Sequence, residues 1–403
     1  MRKFIFLFVV IIAGASITFV SCKKQKNNEN SNVSDIPMGF VGGRVLAVNG
    51  TTPISNANIF VDAGGEVYFT NSDRNGNFVL SAPIGEQVLN IQTGSGKIFR
   101  SQYNVTIKEG QTTFVPAGTL KLLQVTNLAY IAGYWDNIQT VVIDSLGYTC
   151  DELTVADLAD VNTLLNYGGL FLNCGKNGDL DSNMYENLKT FVESGGSIYA
   201  SDFAVEYLTG DNHFKGNGHI HDGFHQKSCT SLAGGIVPDT SLCTMKQGPQ
   251  CIVSQAQVVA PDLLTYLGVS NFDVEYDLAN WEVIQVLTFP WEVLVTDPVT
   301  YGPLAIRMQA NGRNLEVKSL NTTLDQSWVT ICHIPPGNPG NAHTITINSN
   351  ALAAHLAHGD YLGDCLSGGT SGGTIYFTTF HNKVQGTVSQ DVQHMLEYFI
   401  LNL

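Results

Sequence analysis

A chain of 403 residues has room for two or three domains and a sizeable core. Only 14% of its residues are charged, well under the share of about 25% typical of soluble proteins, and 40 are Gly, a texture of exported, β-rich chains rather than cytosolic ones. The formal net charge of −15 excludes nucleic acid as a partner, because phosphates are gripped by clustered Lys and Arg; the plain reading of that charge is solubility.

Met1-Arg2-Lys3 is a basic start, and Phe4 to Val20 is an apolar run too short for a membrane span. Phe19-Val20-Ser21-Cys22 then resembles the lipobox of bacterial lipoproteins, with Phe19 where Leu is usual. The resemblance implies a signal peptide over 1–22. Cys22 would be acylated and become the new N-terminus, and the protein would sit in the cell envelope, on the outer membrane, held by lipid. Each buried CH₂ of such a chain contributes about 0.8 kcal/mol. Residues 23–37, rich in Lys, Asn and Glu, read as a flexible tether. A cleaved secretory signal with an incidental Cys is the other reading.

From 38 to 123 short alternating runs are split by turn residues. Val41 to Val48, Ala57 to Val61, Val67 to Thr70, Val88 to Ile91 and Tyr103 to Ile107 read as strands, with a hairpin turn at Asp73 to Phe78. Strand spacing near ten residues predicts an Ig-like β-sandwich. The runs Gly43-Arg44-Val45, Pro53 to Ala57, Asp73 to Phe78 and Pro83-Ile84-Gly85 resemble the carboxypeptidase regulatory-like domain. That family implies a spacer or contact module without catalytic groups.

From 124 to 403 the pattern changes to alternating strands and helices. Strands are expected at Ala129 to Gly133, Asp151 to Val155, Gly169 to Gly175, Ser197 to Ser201 and Gly373 to His381. Helices are expected at Asn137 to Leu146, Asn183 to Ser194, Phe203 to Leu208 and Val388 to Leu403. Val392, Met395, Leu396, Phe399 and Ile400 mark the apolar face of the last. This order predicts a parallel sheet of flavodoxin-like type. The whole chain then reads as multidomain: a β-sandwich, then an α/β domain with insertions at about 210–252 and 323–370. Val253 to Leu267 and Glu282 to Leu287 are expected to belong to the main sheet.

The Gly195 to Asp202 strand and Phe380-His381-Asn382 resemble the class I glutamine amidotransferase-like fold. In that family the first strand ends in a Gly-x-Cys-x-Gly elbow and the late one in Phe-His-Pro-Glu. Here the elbow reads Ala200-Ser201-Asp202-Phe203-Ala204, so Asp202 stands where the nucleophilic Cys would be. His381 is kept, but Asn382-Lys383 replaces Pro-Glu. A triad without its nucleophile and third member cannot run the family's thiol chemistry, which needs an activated nucleophile beside a base. Asp202 also fits a helix cap, and His381 a hydrogen-bonded strand-end histidine.

Cys174 ends a strand beside the same crevice, where a helix N-terminus or a histidine would activate a thiol; a small buried hydrophobe is the plainer reading. Asn177 to Asn183 is oxygen-rich but lacks the spacing of a calcium loop. His213, His219, His221 and His225 lie in a Gly-rich stretch without an obvious ligand set. Cys150, Cys229, Cys243 and Cys251 read as disulfide candidates in an exported protein.

The 323–370 insertion resembles a small Cys-His module of secreted bacterial proteins. Cys332 and His333 are adjacent on a strand and face opposite ways. His355 and His358 share a helical face, so Cys332, His355, His358 and Cys365 would make a tetrahedral zinc set. A Cys332–Cys365 disulfide, worth roughly 3–4 kcal/mol by loop entropy, is the competing use. With Cys22 acylated, seven Cys remain, and Cys174 is the expected odd one.

These observations lead to a lipid-anchored envelope protein with a non-catalytic binding or scaffolding role toward an envelope component such as glycan. The rival is a hydrolase using Cys174 or Asp202 with His381, assisted by metal. A third is a metal-responsive module on the 355–358 histidines.

Overall fold

Alternation of buried and exposed residues builds the first part of the chain. In the computed structural model β1 (Met38–Arg44), β2 (Asn58–Ala63), β3 (Glu66–Asn71), β4 (Asn77–Pro83), β5 (Gly85–Gln92), β6 (Arg100–Ile107) and β7 (Thr112–Phe114) form two small sheets, β4-β1-β7 and β3-β2-β5-β6. On β4, Phe78, Leu80 and Ala82 are buried while Val79 is exposed, the period-2 pattern of a strand with one wet face. Asp73 Oδ1 accepts the backbone N–H groups of Asn75 and Asn77, both at 2.8 Å, and so closes the turn ahead of β4.

The described residues are 36–63, 66–175, 180–209, 236–237, 241–299, 302–310, 328–333, 343–348, 355, 361–362, 372–382 and 388–403. They are mostly β, with large sheets and some helices. The later strands are β8 (Asn127–Ile131), β9 (Asp151–Leu153), β10 (Tyr167–Leu172), β11 (Ser197–Ser201), β12 (Leu242–Gly248), β13 (Cys251–Val258), β14 (Asn271–Tyr276), β15 (Trp281–Leu287), β16 (Glu292–Asp297), β17 (Gly302–Gln309), β18 (Trp328–His333), β19 (His343–Asn348), β20 (Tyr361–Leu362) and β21 (Thr374–Thr378). Nine of them make one sheet of order β14-β13-β16-β17-β21-β11-β10-β8-β9. Among the described residues no helix is long and apolar enough to cross a membrane.

The parallel sheet expected from the sequence accounts for part of this. β9, β8, β10, β11 and β21 run parallel, but β17, β16, β13 and β14 extend the sheet antiparallel. Only four residues separate β16 from β17, and a connection that short can only reverse the chain. β15, expected in the main sheet, instead pairs with β12 in a separate two-stranded sheet. The helix expected over Asn137 to Leu146 is one wide turn at Val141–Ser145, with Leu146 N–H bonding Val141 O at 3.1 Å, five residues back.

The central strands are largely apolar and buried because both faces are covered. Phe171, Tyr199 and Tyr376 face one hydrophobic cluster; Leu170, Leu172, Ile198, Ala200, Ile375 and Phe377 face another. The second is closed by α1 (Ser182–Glu193) through Tyr185, Leu188, Phe191 and Val192; the N-cap of this helix is Asp181, which accepts from Met184 N–H at 2.9 Å. The first is closed by the helix Gln390–Leu401, with the ring of Phe399 stacked on Tyr376 at 4.9 Å. Full burial of such a ring contributes about 2–3 kcal/mol.

Pro37 to Leu403 form one compact unit. The sandwich shares the first cluster with the main sheet. Asn49 Nδ2 and Thr52 Oγ1 donate to Ser145 O at 2.8 and 2.7 Å, Tyr148 OH donates to Leu122 O at 3.0 Å, and the Phe99 and Tyr148 rings lie 4.6 Å apart. The sandwich is thus packed onto the larger sheet rather than strung beside it.

Candidate functional site

In the parallel half, the strand ends are level. Ile131 pairs with Leu172, Leu172 with Ala200, and Ala200 with Phe377. The residues that follow on each strand therefore converge outside the carboxyl edge of the sheet, the usual place for a site in such a fold. Asp136 follows β8, Cys174 follows β10, Asp202 follows β11, and His381 follows β21.

Cys174, Asp202 and His381 come together: one side-chain ligand atom from each lies within 4.8 Å of the other two. Cys174 is 0% and Asp202 4% exposed, while His381 is partly exposed. Asp202 has φ 45°, in the left-handed region that is uncommon for a residue other than Gly. Asp202 is not at the cap position of the following short helical turn, which is Ser201. Instead Oδ1 accepts the backbone N–H of Glu282 at 2.7 Å and Oδ2 accepts the Cys174 thiol at 3.5 Å. Burial, reinforced by the Asp202 carboxylate, holds the Cys174 thiol well above its ordinary range, the opposite of what an activated nucleophile requires.

The loops carrying these groups fit only because two positions are Gly. A Cβ on Gly133 would stand 2.2 Å from Cys174 O, and one on Gly175, at φ 101°, 2.2 Å from the Trp135 ring. The backbone N–H of Trp135 donates to Cys174 O at 3.1 Å. The side chains of Tyr134 and Trp135 stay 67% and 43% exposed at this edge.

Asp136 is a component that sequence reasoning missed. It is 1% exposed. Its carboxylate accepts the Ser201 hydroxyl and the backbone N–H groups of Asn137 at 2.7 Å and Asn382 at 3.1 Å. Burial outweighs these bonds and raises its carboxyl to about 7. The only signal in the sequence is a lone acid a few residues past a buried strand. Asn382, which departs from the amidotransferase pattern, ties this corner together: Nδ2 donates to Asn137 Oδ1 at 2.7 Å and Thr140 Oγ1 at 3.0 Å.

The other expected site residues are dispersed. In the three-stranded sheet β19-β18-β20, Cys332 is in register with Thr344 and Tyr361. The rings of His333 and His355 meet edge-on at 5.6 Å, and both residues are buried. Strand alternation left His333 out of the expected ligand set, yet it is His333 that faces His355. His358, Cys365, Cys229, Cys22, the four histidines of 213–225 and residues 177–179 of the 177–183 loop lie outside the described residues.

Cys243 is disulfide-bonded. Cys150 and Cys251, expected in bridges, are free thiols, as is Cys174. Cys150 precedes β9 at one edge of the nine-stranded sheet and Cys251 opens β13 near the other, with six strands between. At about 4.8 Å per strand they are far beyond the reach of a bridge to each other.

No family model matches the chain, and no curated protein matches it. Among solved structures it is similar to a protein described as a GMP synthase subunit from Thermoplasma acidophilum, at 11% identity and a TM-score of 0.35, covering 69% of this chain and 94% of that one. It also overlaps the Bacillus anthracis TIE protein, at 16% identity and TM-score 0.19, over 24% of this chain and 19% of that one. A third overlap is with Klebsiella pneumoniae 5-hydroxyisourate hydrolase, at 15% identity and TM-score 0.17, over 22% of this chain and 99% of that one.

Proposed function

We propose that the protein is a lipid-anchored component of the bacterial cell envelope in which an amidotransferase-like α/β body, carrying a carboxypeptidase regulatory-like sandwich, serves a non-catalytic binding or scaffolding role. The observation that carries this reading is the state of Asp202. It stands at the strained tip of β11, where the resembled family has its nucleophile, and its two carboxylate oxygens already accept the Glu282 N–H and the Cys174 thiol. The nearest thiol is buried beneath it and held protonated. Covalent acyl transfer needs a nucleophile that is exposed and activated, and this pair is neither. The anchor rests on the apolar run and Cys22. A glycan partner draws support from Tyr134 and Trp135, which offer exposed aromatic faces at the same sheet edge.

The test is to expose the full chain in detergent to glutamine, amide and ester substrates, and separately to a thiol alkylating reagent. No turnover above that of buffer is expected, with Cys251 alkylated well before Cys174. Turnover abolished by Cys174→Ser, or Cys174 labelled first, would overturn the reading. Co-sedimentation with insoluble envelope polysaccharide, weakened at least tenfold by Tyr134→Ala, tests the glycan partner; equal sedimentation of both proteins removes it.

A further inference from the structure

We propose that Cys174, Asp202 and His381 form a binding site for a zinc-class transition-metal ion. They supply one sulfur, one carboxylate oxygen and one imidazole nitrogen, the donor set that borderline-soft divalent metals take. The donors follow the ends of three neighbouring strands, β10, β11 and β21, so the sheet brings them to one edge. Zinc bonds of about 2.3 Å to sulfur and 2.0 Å to oxygen at a tetrahedral angle place the two atoms about 3.5 Å apart. Cys174 Sγ and Asp202 Oδ2 stand at 3.5 Å. All three donor atoms fall within 4.8 Å of one another, so closure on a common ion needs movements of about 1 Å, within the freedom of a histidine ring.

The surroundings suit the outer support that metal ligands require. The Glu282 N–H fixes the Asp202 carboxylate through Oδ1 and leaves Oδ2 turned to the thiol. Cys174 and Asp202 are buried, and His381 lies on the more open side, which leaves the fourth position to water. On binding, the sulfur–metal bond replaces the S–H bond and the thiol proton passes to solvent; no electron is transferred. The site is distinct from the Cys332, His355, His358 and Cys365 set, and it does not depend on whether the chain catalyses a reaction.

The probe is cobalt(II), titrated into the full chain in detergent after removal of metal with a chelator. One equivalent with a sulfur-to-cobalt charge-transfer band is expected. The band should persist in the double variant Cys332→Ser with Cys365→Ser and disappear in Cys174→Ser. His381→Gln should weaken binding at least tenfold, and it substitutes for Cys174→Ser if that variant does not fold. Zinc should raise the thermal midpoint of the wild type more than that of His381→Gln. No band in the wild type, a band that survives both Cys174→Ser and His381→Gln, or a band lost in the Cys332 and Cys365 double variant would overturn the site. Cobalt-dependent hydrolysis that tracks the titration would support the site and overturn the non-catalytic reading instead.

Discussion

Replacing Asp136 with Asn should change how stability depends on pH, and the sign follows from where the proton resides. The carboxyl of Asp136 is raised by burial from 3.8 to about 7 in the folded protein. Between those values the folded chain holds a proton that the unfolded chain has released. Unfolding therefore releases a proton, and stability falls as pH rises through the interval. The slope is at most about 1.4 kcal/mol per pH unit, and the whole interval is worth about 4 kcal/mol. Below 3.8 both states are protonated, and above about 7 both are ionised, so the effect levels off at each end. The amide introduced by Asp136→Asn has no proton to lose. Its oxygen can still accept from Asn137 and Asn382, and the Ser201 hydroxyl can rotate to accept from its NH₂ group. The stability of the Asp136→Asn variant relative to wild type should therefore increase by about 2.5–3 kcal/mol from about pH 5 to about pH 8. Urea unfolding of both proteins across that range measures it. Carboxyls common to both, including Glu397, whose own carboxyl is raised by burial, cancel in the difference. A difference that stays flat, or narrows toward alkaline pH, would refute the reasoning.

Two further substitutions test the framework. Gly133→Ala drives a Cβ to 2.2 Å from Cys174 O, a backbone atom that cannot step aside, so a loss of about 2 kcal/mol is expected as a lowered thermal midpoint; an unchanged midpoint would show that the two loops do not meet as described. Arg307 donates to Asp262 at 2.5 Å, Glu292 at 2.7 Å and Tyr398 OH at 2.9 Å, joining β17 to α2 (Pro261–Leu267) and the closing helix. Arg307→Ala should cost about 2 kcal/mol in urea unfolding. Arg307→Lys should recover less than half, since an ammonium cannot reach three acceptors as the guanidinium fork does; full recovery would reduce the cluster to a simple charge pair.

Much of the central architecture was legible in the sequence. The apolar runs at Leu170, Ile198 and Ile375 and the helical spacing of Val392, Met395, Leu396, Phe399 and Ile400 are periodicities imposed by burial, and local pattern reports burial directly. Once those strands are taken as parallel neighbours, Cys174, Asp202 and His381 must lie at one edge, because each follows the end of its strand. The tertiary structure alone decided the rest. Asp136 looks like any surface acid until the Ser201 and Asn382 donors arrive from positions 65 and 246 residues away. The antiparallel half depends on a pairing choice, β17 against β21, between segments far apart in the chain, and nothing local in either segment specifies direction. His333 meets His355 because a strand and a residue beyond the next hairpin fold over one another, which strand alternation cannot foresee. Burial leaves its mark on each segment by itself, whereas partnership between polar groups is settled only when distant segments meet.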